Sequence, residues 1–295
     1  MIDLVLIGLI EAAPLVLAAI GFTLIYYLNG FINVAFAETI TSGAYFAVFF
    51  NQVLGLGFYL AIIPAAIAAG LLSVATYLLV YRPALNRGVG VVEMIVLSVG
   101  VSFLLRHLLR VVFGVETYLF DLGEQTYLSI LGTGVTSVQI WALVLVVVMV
   151  TVAYLMTYRS KYGQMMRALA SNRDLAVASG IDPTKASILV WFIAGVAGGL
   201  AGIFLGVFAF VDYQIGWNLI LIIVMVAIVG GIGNVRGALI AGAAAGVAVS
   251  FLTWLTQPLY AQVLLLALFI VVLRLKATRS GGGSRRSLLA LAGRS

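Results

Sequence analysis

Acidic side chains inside long apolar runs are the residues of this chain whose placement most suggests chemistry. Glu11, Glu38 and Glu93 lie within or at the ends of such runs, where an ionised carboxylate is costly and by default indicates function. Glu93 is better interpreted as a solvated helix end, and Glu11 can reach an interface with water. Glu38 is therefore the carboxylate that most needs an explanation.

Glu38 stands in a cluster of polar residues within the apolar run 32–51. Such a cluster can line a substrate path or satisfy the backbone of an interrupted helix. Hydrogen bonding between helices explains it equally well, and the sequence leaves these alternatives open. The candidate pathway residues are Asn33, Glu38, Thr41, Ser42 and Tyr45.

The basic residues of another run, Arg106, His107 and Arg110, are predicted to reach from a helix to the membrane interface and not to form a ligand site. His107 is the only histidine, and the sequence contains no cysteine. This composition disfavours a metal site and a nucleophile–base pair. We expect no catalytic residue, no metal and no cofactor, and the chain is not predicted to be an enzyme.

A glycine-rich stretch partly resembles a dinucleotide-binding fingerprint, but that motif must link a strand to a helix. Here it follows one apolar run and precedes another, so we reject the nucleotide interpretation. A tight turn between closely packed helices explains it better. No phosphate-binding loop of the G-x-x-x-x-G-K-[ST] type occurs, so the chain is not expected to hydrolyse ATP itself. The turn residues are Gly230, Gly231, Gly233 and Gly237.

The basic segment 159–183 is longer than an ordinary loop between apolar runs and can hold a surface helix. Its alanines favour a helix and offer a face for close packing, and Asn172 interrupts it. Gly180 can end that helix, and the pair Asp182–Pro183 suits the start of the next one. Two functions are equally compatible with this pattern: a handle gripped by a cytoplasmic partner, or an amphipathic helix lying on the membrane surface.

Composition defines the elements that carry these residues. Of the 295 residues, 64% are hydrophobic and 9% charged, and the mean hydropathy is +1.21. A soluble domain has about 25% charged residues, whereas apolar runs of about 20 residues span a bilayer. The runs are continuous and do not alternate, which favours helices over a barrel. The sequence predicts an all-α, polytopic membrane bundle.

Nine spans place the basic clusters on one side, with the N-terminus outside and the C-terminus cytoplasmic. The net charge of +6 is thus interpreted as topology and not as a nucleic-acid surface. Eight spans are the alternative, because the second run is interrupted and predicts a broken helix. We expect a membrane domain over 1–276 and a flexible basic tail over 277–295 that contacts lipid. The predicted spans are 4–28, 32–51, 56–79, 91–113, 138–158, 184–208, 217–233, 237–256 and 260–275.

Several motifs follow one another in a family-specific order. They are Gly21-Phe22-Thr23-Leu24-Ile25-Tyr26, Ile32-Asn33 with Glu38, Tyr81-Arg82-Pro83, Tyr162-Gly163 through Asp182, Ala197-Gly198-Gly199-Leu200-Ala201-Gly202, and Gly230-Gly231-Ile232-Gly233. From about Gly21 to Leu273 the chain resembles the permease subunits of branched-chain amino acid ABC importers, especially the LivH-like member of the permease pair.

The resemblance implies a multi-pass permease of the cell membrane that carries leucine, isoleucine or valine. Its expected partners are a second related permease subunit, two cytoplasmic ATP-binding subunits, an extracytoplasmic amino-acid-binding protein and membrane lipid, with no nucleic acid. The segment 159–183 would couple to the ATPase. The residues implied in coupling are Gly163, Arg167, Ala168, Asn172, Ala176, Gly180 and Ile181.

Two alternatives remain at this stage. Similar permeases carry urea, short amides or other amino acids, so the substrate is less secure than the class. A stand-alone secondary transporter would use Glu38 or Glu11 as an ion or proton site.

Overall fold

The computed structural model describes residues 2–130, 133–257 and 260–274, and the predicted tail 277–295 lies outside the described residues. Within that part the chain forms a helical bundle, which confirms the predicted fold class. The helices are α1 (Ile2–Glu11), α2 (Ala13–Asn29), α3 (Phe36–Val48), α4 (Phe58–Thr76), α5 (Arg82–Asn86), α6 (Val91–Phe113), α7 (Ser137–Arg159), α8 (Lys161–Ser171), α9 (Arg173–Ala178), α10 (Pro183–Phe208), α11 (Ile220–Gly230), α12 (Val235–Leu255) and α13 (Tyr260–Arg274).

Short irregular elements join or extend these helices. π-helical segments, Phe49–Val53 and Tyr77–Tyr81, continue α3 and α4, and a 3₁₀ turn, Trp217–Leu219, precedes α11. The predicted loop 114–136 contains an antiparallel hairpin of β1 (Tyr127–Ile130) and β2 (Thr133–Thr136). An all-helical expectation does not include this hairpin, which precedes α7 directly.

Length and hydropathy support membrane spans without fixing their number. In the described ranges, five helices are long and apolar enough to cross a bilayer, or six if the pair formed by α1 and α2, bent by 44°, is one span. Helices α11 (with its preceding turn) and α13 are apolar but shorter. The predicted count of eight or nine therefore stays a prediction.

The two ends of the bundle differ in charge. At the basic end, Arg236 Nη2 donates a hydrogen bond to the Tyr154 hydroxyl at 2.7 Å, which joins the turn before α12 to the last turns of α7. At the opposite, acidic end, Asn51 Nδ2 donates to the backbone oxygen of Asp121 at 3.2 Å. Tyr118 and Val211 also pair there as an isolated bridge. The basic turn before α12 therefore lies beside the end of α7, and the loop with Asp121 contacts the end of α3 and the segment at Val211.

Helix α10 lies at the centre and packs against α2, α3 and α4. Glycines allow this packing: a Cβ on Gly202 would lie 1.8 Å from the backbone oxygen of Ile40, and one on Gly43 would lie 2.3 Å from the Gly199 Cα. Because glycine has no Cβ, the two helix backbones approach closely here, as is usual for small residues in membrane bundles. Helix α3 is thereby fixed along its α10 side.

Candidate functional site

An irregular segment separates α2 from α3 and includes the first residues of the second run, whereas the polar residues Glu38, Thr41 and Ser42 lie within the continuous α3. Helix α2 ends at Gly30, whose φ is 74°, a left-handed conformation that favours glycine. Asn33 is buried, and its Oδ1 accepts a hydrogen bond from the Tyr81 hydroxyl at 2.8 Å. The Val34 N–H donates to the Ser98 Oγ of α6 at 3.1 Å. The Ser98 side chain thus satisfies part of the interrupted backbone, and the Tyr81 hydroxyl holds the Asn33 side chain.

A buried ion pair joins α3 to α6. The Arg106 Nη2 lies 2.6 Å from the Glu38 Oε1, and the Arg106 Nε donates to the same oxygen at 3.0 Å. Ser102 donates a third hydrogen bond to this oxygen at 2.9 Å. At about 1.5 Å rise per residue, Ser102 lies near the middle of the 23-residue α6. The pair therefore lies deep within a membrane-length helix.

The interfacial interpretation of Arg106 is wrong. Its side chain is only 9% exposed, and its guanidinium carbon lies 3.9 Å from the centre of the Trp217 ring. His107 and Arg110 are exposed, and Arg110 lies over the Tyr213 ring at 5.5 Å. Sequence reasoning missed Arg106 because neighbouring charges suggested a helix end, although the spacing of Ser98, Ser102 and Arg106 by four residues indicated one polar helix face.

The ion pair is buried and shielded from solvent. Separating two buried charges from water is costly, and removing one partner strands the other in a low-dielectric surrounding. Ionisable residues in spans for this reason pair with one another and mark functional positions.

In residues 2–130, 133–257 and 260–274, no three His, Asp or Glu side chains are grouped so that they could hold a metal ion.

The other candidate pathway residues differ in how their polar atoms are used. Thr41 Oγ1 donates to the Ala37 carbonyl at 3.1 Å and accepts from the Gly216 N–H at 3.2 Å. Ser42 and Tyr45 are 1% and 0% exposed, and neither hydroxyl has a hydrogen-bond partner among the described residues. Thr41 therefore bonds within α3 and to the turn that precedes α11.

A second candidate site lies at the basic end, where α8 and α9 form a short helix pair. Asn172 joins them: its N–H bonds to the Ala168 carbonyl at 3.0 Å, and its side chain caps α9 by accepting from the Leu175 N–H at 3.0 Å. Asp182 caps α10 by accepting from the Thr184 N–H at 2.8 Å. Local capping thus explains why the segment folds into two short helices before the next span.

The coupling residues implied by the sequence do not all face outward. Gly163 is buried, and a Cβ there would lie 2.1 Å from the Thr157 carbonyl oxygen. Arg167 Nη1 donates to that same carbonyl at the end of α7. Ala176 is 5% exposed, and Ile181 closes the turn by donating its N–H to the Ala176 carbonyl. These residues hold the helix pair against the bundle.

The exposed residues of the pair include Leu175 and Val177, which the sequence analysis did not single out. Leu175 is 65% exposed, Val177 48% and Tyr162 44%. Exposed apolar side chains beside Gln164 and Asp174 on a basic end are typical of a protein contact surface. Gly180 is exposed and has a φ of 83°, and Ala168 is half-buried.

The glycine turn lies at the same basic end. Gly230 and Gly237 face each other, since a Cβ on Gly237 would lie 1.8 Å from the Gly230 oxygen. Gly231 and Gly233 have φ of 92° and 76°, and Gly233 packs on the Tyr27 ring. The Asn234 side chain accepts from the Gly237 N–H at 3.1 Å and begins α12. The arrangement is a close turn between two helices.

A helical bundle whose long apolar helices can cross a bilayer, with a buried ion pair inside one of them, is that of a multi-pass membrane protein. The chain belongs to the family described as branched-chain amino acid transport system, permease component, whose profile matches residues 4–273. It is a non-enzymatic transport permease.

Relatives support this assignment over most of the chain. A probable branched-chain amino acid transport permease protein LivH of Methanocaldococcus jannaschii is 26% identical over 84% of this chain and 79% of the relative. The high-affinity branched-chain amino acid transport system permease protein BraD of Pseudomonas aeruginosa is 26% identical over 92% of both chains. The corresponding LivH of Escherichia coli K12 is 25% identical over 92% of both.

Proposed function

We propose that this chain is the membrane permease subunit of an ATP-driven ABC importer for branched-chain amino acids. The observation that carries the proposal is the helix pair α8–α9: it is tied to α7 through Gly163 and Arg167 but presents Leu175 and Val177 outward. A rigid base with an exposed apolar face suits a handle that receives force from a separate motor. The alternative, a helix lying flat on lipid, does not require that tie.

The proposed assembly follows the expected partners. Two cytoplasmic ATP-binding subunits would grip segment 159–183 on this subunit and its counterpart on a second related permease. An extracytoplasmic binding protein would deliver the amino acid at the acidic end. The basic end would then be cytoplasmic, as the positive-inside rule predicts, with the N-terminus outside, the C-terminus inside and the chain in the cell membrane.

The substrate assignment rests on the family and on the relatives, whose names refer to branched-chain amino acids. Urea or short amides are the alternative cargo, and a stand-alone secondary transporter is the alternative class. The buried pair of Glu38 and Arg106 carries both charge signs, which suits an amino acid better than an uncharged amide.

Co-purification of the ATP-binding subunits tests whether they bind the α8–α9 helix pair. Leu175→Asp places a charge on the outward face of α9 and should abolish co-purification of these subunits with the detergent-solubilised chain, because the apolar contact is lost. The matched control is Leu119→Asp, since Leu119 is 67% exposed in the loop at the acidic end. Equal capture by wild type and both variants would contradict the proposal.

A further inference from the structure

One face of α3 carries three oxygens that have no hydrogen-bond partner among the described residues: Glu38 Oε2, Ser42 Oγ and Tyr45 Oη. All three residues are at most 1% exposed. At about 3.6 residues per turn, their spacing of four and three places them in one stripe. Buried polar atoms are almost always partnered, so three orphans in a row on one helix face require an explanation.

The stripe faces α6. Glu38 pairs with Arg106 of α6, and Tyr45 stacks on Phe113 at the end of α6 with ring centres 4.6 Å apart. Ser42 lies between them, on the wall of a cavity of about 160 Å³ that Leu105 and Leu109 of α6 also line. Polar atoms thus run along the α3–α6 interface from the middle of the bundle to its acidic end.

Helix α6 is suited to move away from this face. It packs mainly against α3, and it is the least buried of the five long apolar helices in the described part of the chain. Helix α3 itself is fixed on its other side, where Gly43 and Gly199 bring its backbone against α10. Opening between a fixed and a loosely held helix would expose the stripe.

We propose that the α3–α6 interface is the closed form of the substrate passage, and that a zwitterionic amino acid opens it by exchanging ion pairs. This inference rests on the proposed function. The ammonium group of the amino acid binds Glu38 and its carboxylate binds Arg106, which replaces one ion pair by two. No charge is left unpaired in the low-dielectric interior, where an unpaired charge is strongly destabilising.

The surroundings fit the remaining parts of such a substrate. The cavity below Ser42 is lined by apolar residues of α3, α4 and α6 and can take an aliphatic side chain. The Arg106 guanidinium packs on the Trp217 ring, so it stays oriented when its ion pair with Glu38 opens. An uncharged amide cannot replace either ion-pair partner. The exchange therefore selects zwitterions over urea.

A neutral pair of substitutions separates this role from a structural one. In Glu38→Gln with Arg106→Gln, no buried charge lacks a partner, so the protein should insert and keep its thermal stability in detergent. Its initial rate of leucine uptake, measured in the complete reconstituted complex with ATP, should fall by about tenfold or more. Uptake of this double variant at the wild-type rate would overturn the exchange.

Thiol accessibility locates the passage, because the chain contains no cysteine. Ser42→Cys should react with a small charged methanethiosulfonate about tenfold faster during ATP-driven turnover than at rest, and the reaction should block uptake. Ser73→Cys is the matched control: Ser73 is also 1% exposed but bonds to the Trp191 carbonyl at the α4–α10 contact, and it should stay unreactive.

These experiments distinguish a wrong position of the passage from a wrong proposed function. If Ser42→Cys stays unreactive while the complex accumulates leucine with ATP, the passage lies elsewhere and the proposed function stands. If the wild-type complex does not accumulate leucine with ATP, the proposed function fails and this inference fails with it.

Discussion

Arg167 turns back toward its own bundle and donates a hydrogen bond to the carbonyl of Thr157, ten residues earlier. The donor is on α8 and the acceptor is in the last turn of α7. A cation at the C-terminal end of a helix is also favoured by the helix dipole. Arg167, one of the residues implied in coupling, therefore ties α8 to the end of α7.

Removing the Arg167 hydrogen bond should weaken the contact between α8 and the end of α7. Arg167→Met keeps much of the side-chain stem but loses the hydrogen bond of a charged donor, which is worth about 1.5–3 kcal/mol. We expect a lower free energy of unfolding in a mixed-micelle denaturation assay. Arg159→Met, at an exposed position, is the control and should stay within about 0.5 kcal/mol of wild type. Equal effects of the two changes would argue against the tie.

Asn172 should be needed for the shape of α9. Asn172→Ala removes the side-chain acceptor for the Leu175 N–H, a cap worth about 1 kcal/mol. Hydrogen exchange should accelerate at Leu175 and Ala176, while α10 stays protected. Asn172→Asp retains an acceptor and should preserve the slow exchange. Unchanged protection in Asn172→Ala would show that α9 forms without this cap.

Close contact between α3 and α10 should make Gly202 intolerant of a side chain. A Cβ there would lie 1.8 Å from the Ile40 oxygen, and such overpacking costs about 1–3 kcal/mol or more. The matched change is Gly100→Ala, because no atom lies within 4 Å of a Cβ at Gly100. It should leave the melting temperature in detergent unchanged or slightly raised. Equal melting of both variants would refute the close contact.

Removing one partner of the ion pair should lower the free energy of unfolding more than removing both. Glu38→Gln alone leaves Arg106 buried without its carboxylate, and breaking a buried pair costs about 3–5 kcal/mol. Adding Arg106→Gln should recover much of this loss, and equilibrium unfolding of the four members of the double-mutant cycle measures the difference. Additive losses would mean that the two side chains do not stabilise each other in the folded protein.

The sequence predicted the bundle because a long apolar run has few alternatives in a membrane. It predicted an interruption of the second run from its polar residues, but the irregular segment lies before α3 and most of those residues are in the helix itself. It did not predict the partner of Glu38, because α3 and α6 are 64 to 68 residues apart in their contacts. Long-range pairing depends on how helices pack, which one sequence does not encode locally.

The same limit applies to the α8–α9 helix pair. Capping signals at Asn172 and Asp182 are local, so the helix pair could be predicted from neighbouring residues. Which side of the pair faces outward depends on contacts with α7 across Ser160. For this reason Leu175 was overlooked, and the contacts of Gly163 and Arg167 with the end of α7 were not foreseen.

The most direct test of the central claim is the accumulation of labelled leucine in proteoliposomes. The complete complex would carry ATP on the side of the ATP-binding subunits and binding protein on the other, with ADP in a parallel sample. Leucine should accumulate above the external concentration with ATP only, and this chain reconstituted by itself should accumulate none. Accumulation by this chain alone, without nucleotide, would contradict the account.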